Sequence, residues 1–161
     1  RLASLSEHFI EAFNGLVTRK SLAQKVIVDP NTFQIKLLGE AGDEITPSEL
    51  SAGERQLFAI SMLWALGRTS GRELPMIIDT PLSRLDGQHR TNLMSNYVPH
   101  TSAQVIMLCT DTELTPDLSA IIAPYVSRRF EIGAVSGGQS TEVSIQKPTQ
   151  DIQGAEPSHA H

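Results

Sequence analysis

Two short apolar segments constrain the fold of this chain more than any other feature. Residues 75–79 (PMIID) and 104–109 (QVIMLC) are nearly continuous runs of large apolar side chains, the pattern of strands buried in a parallel sheet. Residues 87–97 lie between them and have a helical pattern. This strand–helix–strand order predicts an α/β fold with a mostly parallel core sheet and flanking helices.

Antiparallel hairpins are predicted on either side of this core. Residues 25–29 and 32–38 have strand patterns and are joined by a turn-forming Asp-Pro-Asn sequence. Residues 127–134 and 141–146 predict a second hairpin, whose turn contains Ser-Gly-Gly-Gln at 136–139. Because strands rather than a helix flank that sequence, we interpret it as a hairpin turn and not as a ligand-binding motif.

A strongly apolar helix is predicted before the first buried strand, over residues 52–68. Its side chains are hydrophobic on nearly every side, which is typical of a buried helix, so Trp64 is expected in the core. Gly67 and Gly71 are expected to end it.

The start of this helix is the first candidate site. Residues 50–56 (LSAGERQ) place Ser51 and Glu54 in S-x-x-E spacing, which predicts a capping box worth about 1 kcal/mol to the helix. The small residues Ala52 and Gly53 also allow close backbone approach, and a helix start has unpaired N–H groups and a positive dipole end. The segment therefore predicts either a local cap or a phosphate-binding corner.

An acidic residue follows the first buried strand. Asp79 is expected at the carboxyl end of a parallel strand, where open α/β sheets bind ligands, and a carboxylate there suits Mg²⁺. The alternative is an Asp that caps a helix after the strand. Residues 80–86 (TPLSRLD) add a proline turn and a second acid, Asp86, at the same predicted sheet edge.

The opening residues have heptad spacing. Apolar side chains recur at intervals of three and four residues, at Leu2, Leu5, Phe9, Ala12 and Leu16. Two heptads fit both the end of a coiled coil and an amphipathic helix that packs on the core. We predict a coiled-coil end or helix over 1–24, the main domain over 25–146, and a disordered tail over 147–161. Because Arg1 is not a natural start, we expect an excised fragment.

Composition narrows the class of protein. The 161 residues carry a formal net charge of −5. The electrostatic field of this net charge repels nucleic acid and argues against strong binding, so any DNA contact needs a local basic patch. No apolar run reaches the roughly 18 residues of a membrane span. The single cysteine, Cys109, excludes an internal disulfide and is expected to be a buried thiol. These features fit a cytoplasmic protein without membrane contact.

Three basic residues lie close together near the first hairpin. Arg19, Lys20 and Lys25 form a small cluster that we interpret as a solvated face rather than a phosphate contact.

Together, these segments resemble the carboxyl-terminal lobe of an ABC-type ATPase. Residues 50–56 resemble its signature loop, 76–79 its Walker B strand and 83–86 its D-loop. Within that class, the opening heptads and the sequence Thr80-Pro81-Leu82 resemble SMC-like, DNA-processing ATPases rather than transporters.

The amino-acid sequences of these motifs are similar to those of the DndD family, the ATPases of bacterial DNA phosphorothioation. The similarity lies in residues 50–56, 78–86, 89–90 and 109–113. It implies an ATPase that uses ATP and Mg²⁺ and acts on DNA beside other Dnd proteins, which replace a non-bridging phosphate oxygen with sulfur.

The resemblance also implies roles for particular residues. ATP lies between two heads in this class, so it implies a homodimer. The resemblance assigns nucleotide binding to the start of the apolar helix, at Ser51, Ala52, Gly53 and Glu54. It assigns Mg²⁺ binding to Asp79. It also assigns nucleotide binding to Ser83 and Asp86, with Asp86 at the dimer interface near the phosphate cradle of the opposite head.

The chain departs from the family pattern at three points. No G-x-x-x-x-G-K-[ST] sequence occurs, so the phosphate cradle is expected from an amino-terminal lobe, and the isolated chain is expected to have no meaningful ATPase activity. Thr80 stands where most ABC ATPases have a glutamate as general base, and a threonine hydroxyl is a poor base near neutral pH. Thr110 stands where a histidine usually follows the next strand. Asp111 or Glu113 is then a candidate for positioning water, with helix capping as the alternative for both acids.

Two other functions stay open on the sequence. Thr80 also fits a slow or inactive ATPase that serves as a nucleotide-gated scaffold. The second is the head of another SMC-like DNA repair ATPase, of the RecN or SbcC type.

Overall fold

The computed structural model describes most of the chain. The described residues are 2–19, 22–29, 32, 34–46, 48–72, 74–100, 104–134 and 141–146. They fall into two compact units, 1–122 and 123–161. The predicted tail and the Ser-Gly-Gly-Gln turn lie outside the described residues, and so does Lys20. The division of the chain into a coiled-coil end, a main domain and a tail stays a prediction.

Helix α1, Leu2–Leu16, packs against helix α2, Ala52–Ser70. The Phe9 ring of α1 meets Phe58 of α2 edge-on, with 5.0 Å between ring centroids, an arrangement that aromatic quadrupoles favour. The buried residues of α1 are Leu5, Phe9, Ala12, Phe13 and Leu16. Four of the five heptad positions therefore pack within the chain itself, as an amphipathic core helix would, and Leu2 is exposed.

The second helix is less buried than its composition suggested. One face of α2 is covered, but Leu63 and Leu66 are each 49% exposed on the other. The expectation of a helix buried on all sides is wrong, because apolar content does not tell which sides have neighbours. Trp64 is buried as predicted. Gly67 lies inside the helix, and Gly71, with φ of 66°, ends it in the left-handed conformation.

A small antiparallel sheet lies between the two helices in sequence. It consists of β1 (Lys25–Val28), β2 (Ile35–Leu38) and β3 (Glu44–Ile45), in the order β1-β2-β3. Val26 of β1 and Leu37 of β2 pair in register and are buried. The predicted first hairpin is confirmed, while β3, with two residues, was too short to leave a sequence pattern.

The predicted parallel pair is present. Strands β4 (Met76–Asp79) and β5 (Val105–Leu108) are parallel, with Asp79 paired to Leu108. Helix α3, Gly87–Asn92, lies between them in sequence and continues into a π-helical turn, Leu93–Tyr97. Within the described residues, the parallel sheet consists of these two strands.

One face of the parallel pair is open. Ile77, Ile106 and Leu108 are 65%, 40% and 45% exposed and share this face with Asp79, while Ile78 is buried on the opposite face. The prediction that both strands are buried is therefore wrong for one face. Parallel sheets are normally covered on both faces, so the described residues supply only one of the two covering layers.

Helix α4, Pro116–Ile122, ends the first unit and buries Leu118 and Ile122. The second unit contains the predicted second hairpin, β6 (Arg129–Ala134) paired antiparallel to β7 (Thr141–Gln146). None of the helices in the described ranges is long and apolar enough to cross a membrane.

Candidate functional site

A complete capping box holds the start of α2. Ser51 is the N-cap: its Oγ accepts the Glu54 N–H at 3.1 Å, and Glu54 Oε2 accepts the Ser51 N–H at 2.8 Å. The cap is therefore confirmed. The N–H groups of Ala52 and Gly53 have no intrahelical acceptor, and the Ser51 hydroxyl keeps a proton to donate. Cap and phosphate-binding corner are thus not alternatives, because one turn can serve as both.

Glu54 is buried and makes a second contact beyond the cap. Its Oε1 accepts the Nε–H of Arg19 at 2.7 Å. Burial raises the pKa of Glu54, but the hydrogen bonds from Arg19 and Ser51 outweigh burial, so the net pKa is lowered. Both carboxylate oxygens are occupied within the chain, so Glu54 holds the turn in place. Arg19 is 54% exposed, as expected for a solvated face, and its guanidinium also contacts this carboxylate.

Gly53 makes a close approach to the loop after β4. A Cβ at this position would lie 2.9 Å from the carbonyl oxygen of Arg84 and 3.5 Å from Leu85 Cδ2. The signature-like turn therefore packs directly on the D-loop-like turn, and only a glycine leaves enough space.

The end of β4 is joined to the first turns of α2. Asp79 is exposed, and Nε2 of Gln56 donates to the carbonyl oxygens of Thr80 at 3.1 Å and Pro81 at 2.8 Å. The residue after Asp79 is thus in contact with the helix that Ser51 caps. Both Ser51 and Asp79 are exposed.

Thr80 has an unusual backbone. Its φ is 46°, in the left-handed region that a β-branched residue rarely adopts. Its N–H donates to Leu108 O at 2.8 Å, and its carbonyl accepts both Gln56 and the Ser83 hydroxyl. These bonds hold the strained conformation, and such strain concentrates at functional sites.

The two acids after β5 have different environments. Glu113 is buried and accepts N–H groups from Leu82 at 3.2 Å and Thr110 at 2.9 Å, so it ties the turn after β4 to the turn after β5. Glu113 therefore positions backbone, while Asp111 is exposed. The alternative that Glu113 caps the next helix is wrong, since Thr115 Oγ1 accepts the Leu118 N–H there.

Cys109 lies beside this cluster and is only half-buried, so the expectation of a buried thiol is wrong. Burial raises the pKa of its thiol, with a smaller contribution from the Glu113 charge, which agrees with an unreactive thiol.

Ser83 and Asp86 are exposed side chains of the loop between β4 and α3. Asp86 caps α3: its Oδ1 accepts the His89 N–H at 2.9 Å, and its Oδ2 lies 2.9 Å from His89 Nδ1. The His89 backbone bond is the main cause of the lowered pKa of Asp86. Ser83 is exposed, and its hydroxyl donates to Thr80 O at 3.1 Å.

The donor set suits Mg²⁺ only together with a nucleotide. Within the described ranges, no group of three or more His, Cys, Asp or Glu side chains could hold a metal ion. A Mg²⁺ bound with phosphates commonly takes one or two protein carboxylates and fills its other positions with phosphate oxygen and water. Asp79 alone fits that pattern, and it does not fit a free-standing metal site.

Solved structures with a similar fold are SMC head domains. One is a structure from a study of the ATP-driven dimerization and DNA-stimulated activation of SMC ATPases. It aligns with a TM-score of 0.61 and 16% identity, and the alignment covers 91% of this chain and 85% of that chain. The fold is that of an SMC head domain. The head domain with a coiled coil and joint from Pyrococcus yayanosii gives a TM-score of 0.63 at 16% identity, and the Thermotoga maritima SMC head domain gives 0.55 at 16%.

These similarities concern the fold. The chain aligns over 89% of its own length with each of the last two structures but spans only 27% and 48% of theirs. No family model matches the chain, and no curated protein matches it. The predicted α/β lobe of an ABC- or SMC-type head is thereby confirmed as a fold.

Sequence reasoning missed three residues that hold the site together. Arg19, Gln56 and His89 each contact a partner between 24 and 71 residues away in the sequence. Gln56 and His89 lie in motifs noted above, but nothing in their spacing indicated which backbone groups they would meet. Arg19 had only its charge as a signal.

Proposed function

We propose that this chain is the carboxyl-terminal lobe of an SMC-like ATPase head that binds ATP between two heads. The observation that carries the proposal is the Gln56 contact, which brings the turns after Ser51 and Asp79 together, with both side chains exposed. A signature-like helix start and a Walker B-like carboxylate at one edge are the two contributions that this lobe makes in such a head.

The candidate residues of this lobe would contact two different nucleotides, one on their own head and one on the opposite head. Asp79 would hold Mg²⁺, which neutralises phosphate charge, on the nucleotide of its own head. Ser51 would donate its hydroxyl, and Ala52 and Gly53 their N–H groups, to the terminal phosphate held by the opposite head. Nucleotide then joins the heads, and loss of the terminal phosphate removes these contacts and lets the heads separate.

An amino-terminal lobe is the proposed cover for the open sheet face. Ile77, Ile106 and Leu108 form an exposed apolar surface next to Asp79, and an apolar face of this kind is normally covered in an α/β protein. The same lobe would supply the phosphate cradle that the sequence lacks. Without it we expect no meaningful ATP turnover by this chain.

Hydrolysis needs a residue that positions water, and Thr80 does not suit the task. Asp111 is the candidate that we propose, because it is exposed in the turn after β5 while Glu113 is buried and occupied. The alternative is a nucleotide-gated scaffold with little turnover. Hydrolysis by the assembled head, with and without DNA, distinguishes these two functions.

At the finest level we propose a role in DNA phosphorothioation beside other Dnd proteins. This proposal is supported by the amino-acid sequences of residues 50–56, 78–86 and 109–113, which are similar to those of DndD. A head of the RecN or SbcC type is the alternative. A cysteine desulfurase gene next to the gene for this chain would favour sulfur modification, and a nuclease gene there would favour the alternative.

The deciding experiment is ATP-dependent dimerisation with the amino-terminal lobe restored. Ser51→Arg should abolish dimerisation and leave the fold intact, because it removes the hydroxyl and places a bulky side chain at the turn. Ser95→Arg, on the exposed side of the π-helical turn, is the matched control and should dimerise normally. ATP-dependent dimerisation that persists in Ser51→Arg would contradict the proposed function.

A further inference from the structure

The segment directly after α1 contacts both of the turns described above. The Thr18 N–H donates to His89 Nε2 at 3.2 Å, and His89 Nδ1 lies 2.9 Å from Asp86 Oδ2. The next residue, Arg19, donates to Glu54 Oε1 at 2.7 Å. Two consecutive residues therefore reach the loop before α3 and the start of α2.

The roles of the two His89 nitrogens follow from these partners. Because Nε2 accepts the Thr18 N–H, we assign the ring proton to Nδ1, which donates it to Asp86. Thr18 Oγ1 also lies 3.3 Å from Nε2, which superficially resembles an acid–histidine–hydroxyl relay. The lone pair that such a relay would use is occupied by the backbone N–H. The buried ring therefore acts as a connector between Thr18 and Asp86.

The two turns also contact each other. Gly53 packs against the carbonyl group of Arg84, two residues before Asp86. Three contacts thus close a ring: residues 18–19 to Glu54, residues 18–19 through His89 to Asp86, and Gly53 to Arg84. In a closed ring, displacement at one corner must be accommodated at the other two.

We propose that Thr18 and Arg19 form a joint that positions the turn at 51–54 and the turn at 83–86 together with the end of α1. Its importance for nucleotide binding rests on the proposed function, in which the turn at 51–54 meets ATP. Arg19 and His89 are positioning residues in this arrangement. A change in the direction of α1 is then passed to both turns at once.

Hydrogen exchange of the full chain without nucleotide tests the joint. Arg19→Gln should speed exchange about tenfold at the Ser51 and Glu54 amides, because loss of a charged hydrogen bond loosens the cap. The same variant should also speed exchange at the His89 amide, which Asp86 protects at the far corner of the ring. Arg19→Lys should retain much of the protection at all three amides.

Arg68→Gln is the matched control. It removes an exposed ion pair with Glu11 that also connects α1 with α2, but at a distance from the joint. It should leave exchange at Ser51, Glu54 and His89 unchanged. From the other corner, His89→Gln should speed exchange at Ser51 and Glu54.

Two results would overturn the joint. One is faster exchange at Glu54 in Arg19→Gln with no change at His89, since the ion pair is then only a local contact. The other is an equal effect of Arg68→Gln, which would indicate general loosening of the helix pair. Because no nucleotide is present, either result leaves the Ser51→Arg dimerisation test untouched, and failure of that test leaves the joint standing.

Discussion

Gly53 and the carbonyl oxygen of Arg84 are so close that even a methyl group on Gly53 would lie 2.9 Å from that oxygen. The glycine of the signature-like sequence is therefore required by packing inside one chain. This requirement is independent of any contact that the glycine makes with a nucleotide.

Gly53→Ala should destabilise the chain by roughly 1–3 kcal/mol, because the new methyl group must displace the backbone at Arg84. Gly67→Ala is the control within the same helix: its added methyl group would meet nothing within 4 Å. There, alanine should stabilise the helix by about 1 kcal/mol. Urea unfolding of both variants measures the two effects, and a stabilising Gly53→Ala would show that the Arg84 turn yields easily.

Thr80→Asn should raise the free energy of unfolding by roughly 1 kcal/mol. Threonine is strained at φ of 46°, whereas asparagine tolerates the left-handed region. The measurement is thermal or urea unfolding, with Thr91→Asn in the regular helix α3 as the control. No gain from Thr80→Asn beyond the control would mean that the hydrogen bonds around Thr80 already compensate for the strain.

Asp111 and Glu113 should respond differently to removal of their charge. Glu113→Gln should lose roughly 1–3 kcal/mol of stability, because an amide cannot accept the Leu82 and Thr110 N–H groups with both of its terminal atoms. Asp111→Asn should leave stability unchanged and lower hydrolysis by the assembled head. Unchanged turnover in Asp111→Asn would exclude this residue from positioning water.

The chain should lose stability in acid partly through Glu54. Its folded-state pKa lies below the ordinary value of 4.5, so its contribution is complete above that value and is lost as pH falls through the lower one. Glu54→Gln should therefore show a smaller fall in unfolding free energy below pH 4.5 than the native chain. Arg19→Gln removes one of the stabilising bonds and should give an intermediate fall, and identical pH profiles for all three would contradict the assignment.

Local patterns predicted the local structure well. The S-x-x-E spacing of Ser51 and Glu54 produced the capping box, since both bonds form within one helical turn. The apolar runs at 75–79 and 104–109 became the parallel pair, because a strand–helix–strand order leaves few other pairings.

Features that depend on distant neighbours could not be predicted in the same way. The exposure of Leu63 and Ile77 depends on which surfaces the rest of the chain covers. The contact of Arg19 with Glu54 depends on how α1 lies against α2, and a positive charge alone does not specify its partner. The strained φ of Thr80 arises from several bonds that converge on one turn.

The contacts of Gln56, the last residue of the signature-like segment 50–56, fix the length of that segment. Each residue inserted into or deleted from an α-helix rotates everything beyond it by about 100°. A one-residue change between Ser51 and Gln56 would swing the amide away from the Thr80 and Pro81 carbonyl groups. The number of residues between Ser51 and Gln56 is therefore fixed by these hydrogen bonds. Homologous chains that keep the Gln56 contact should differ in the identity of the intervening residues but not in their number.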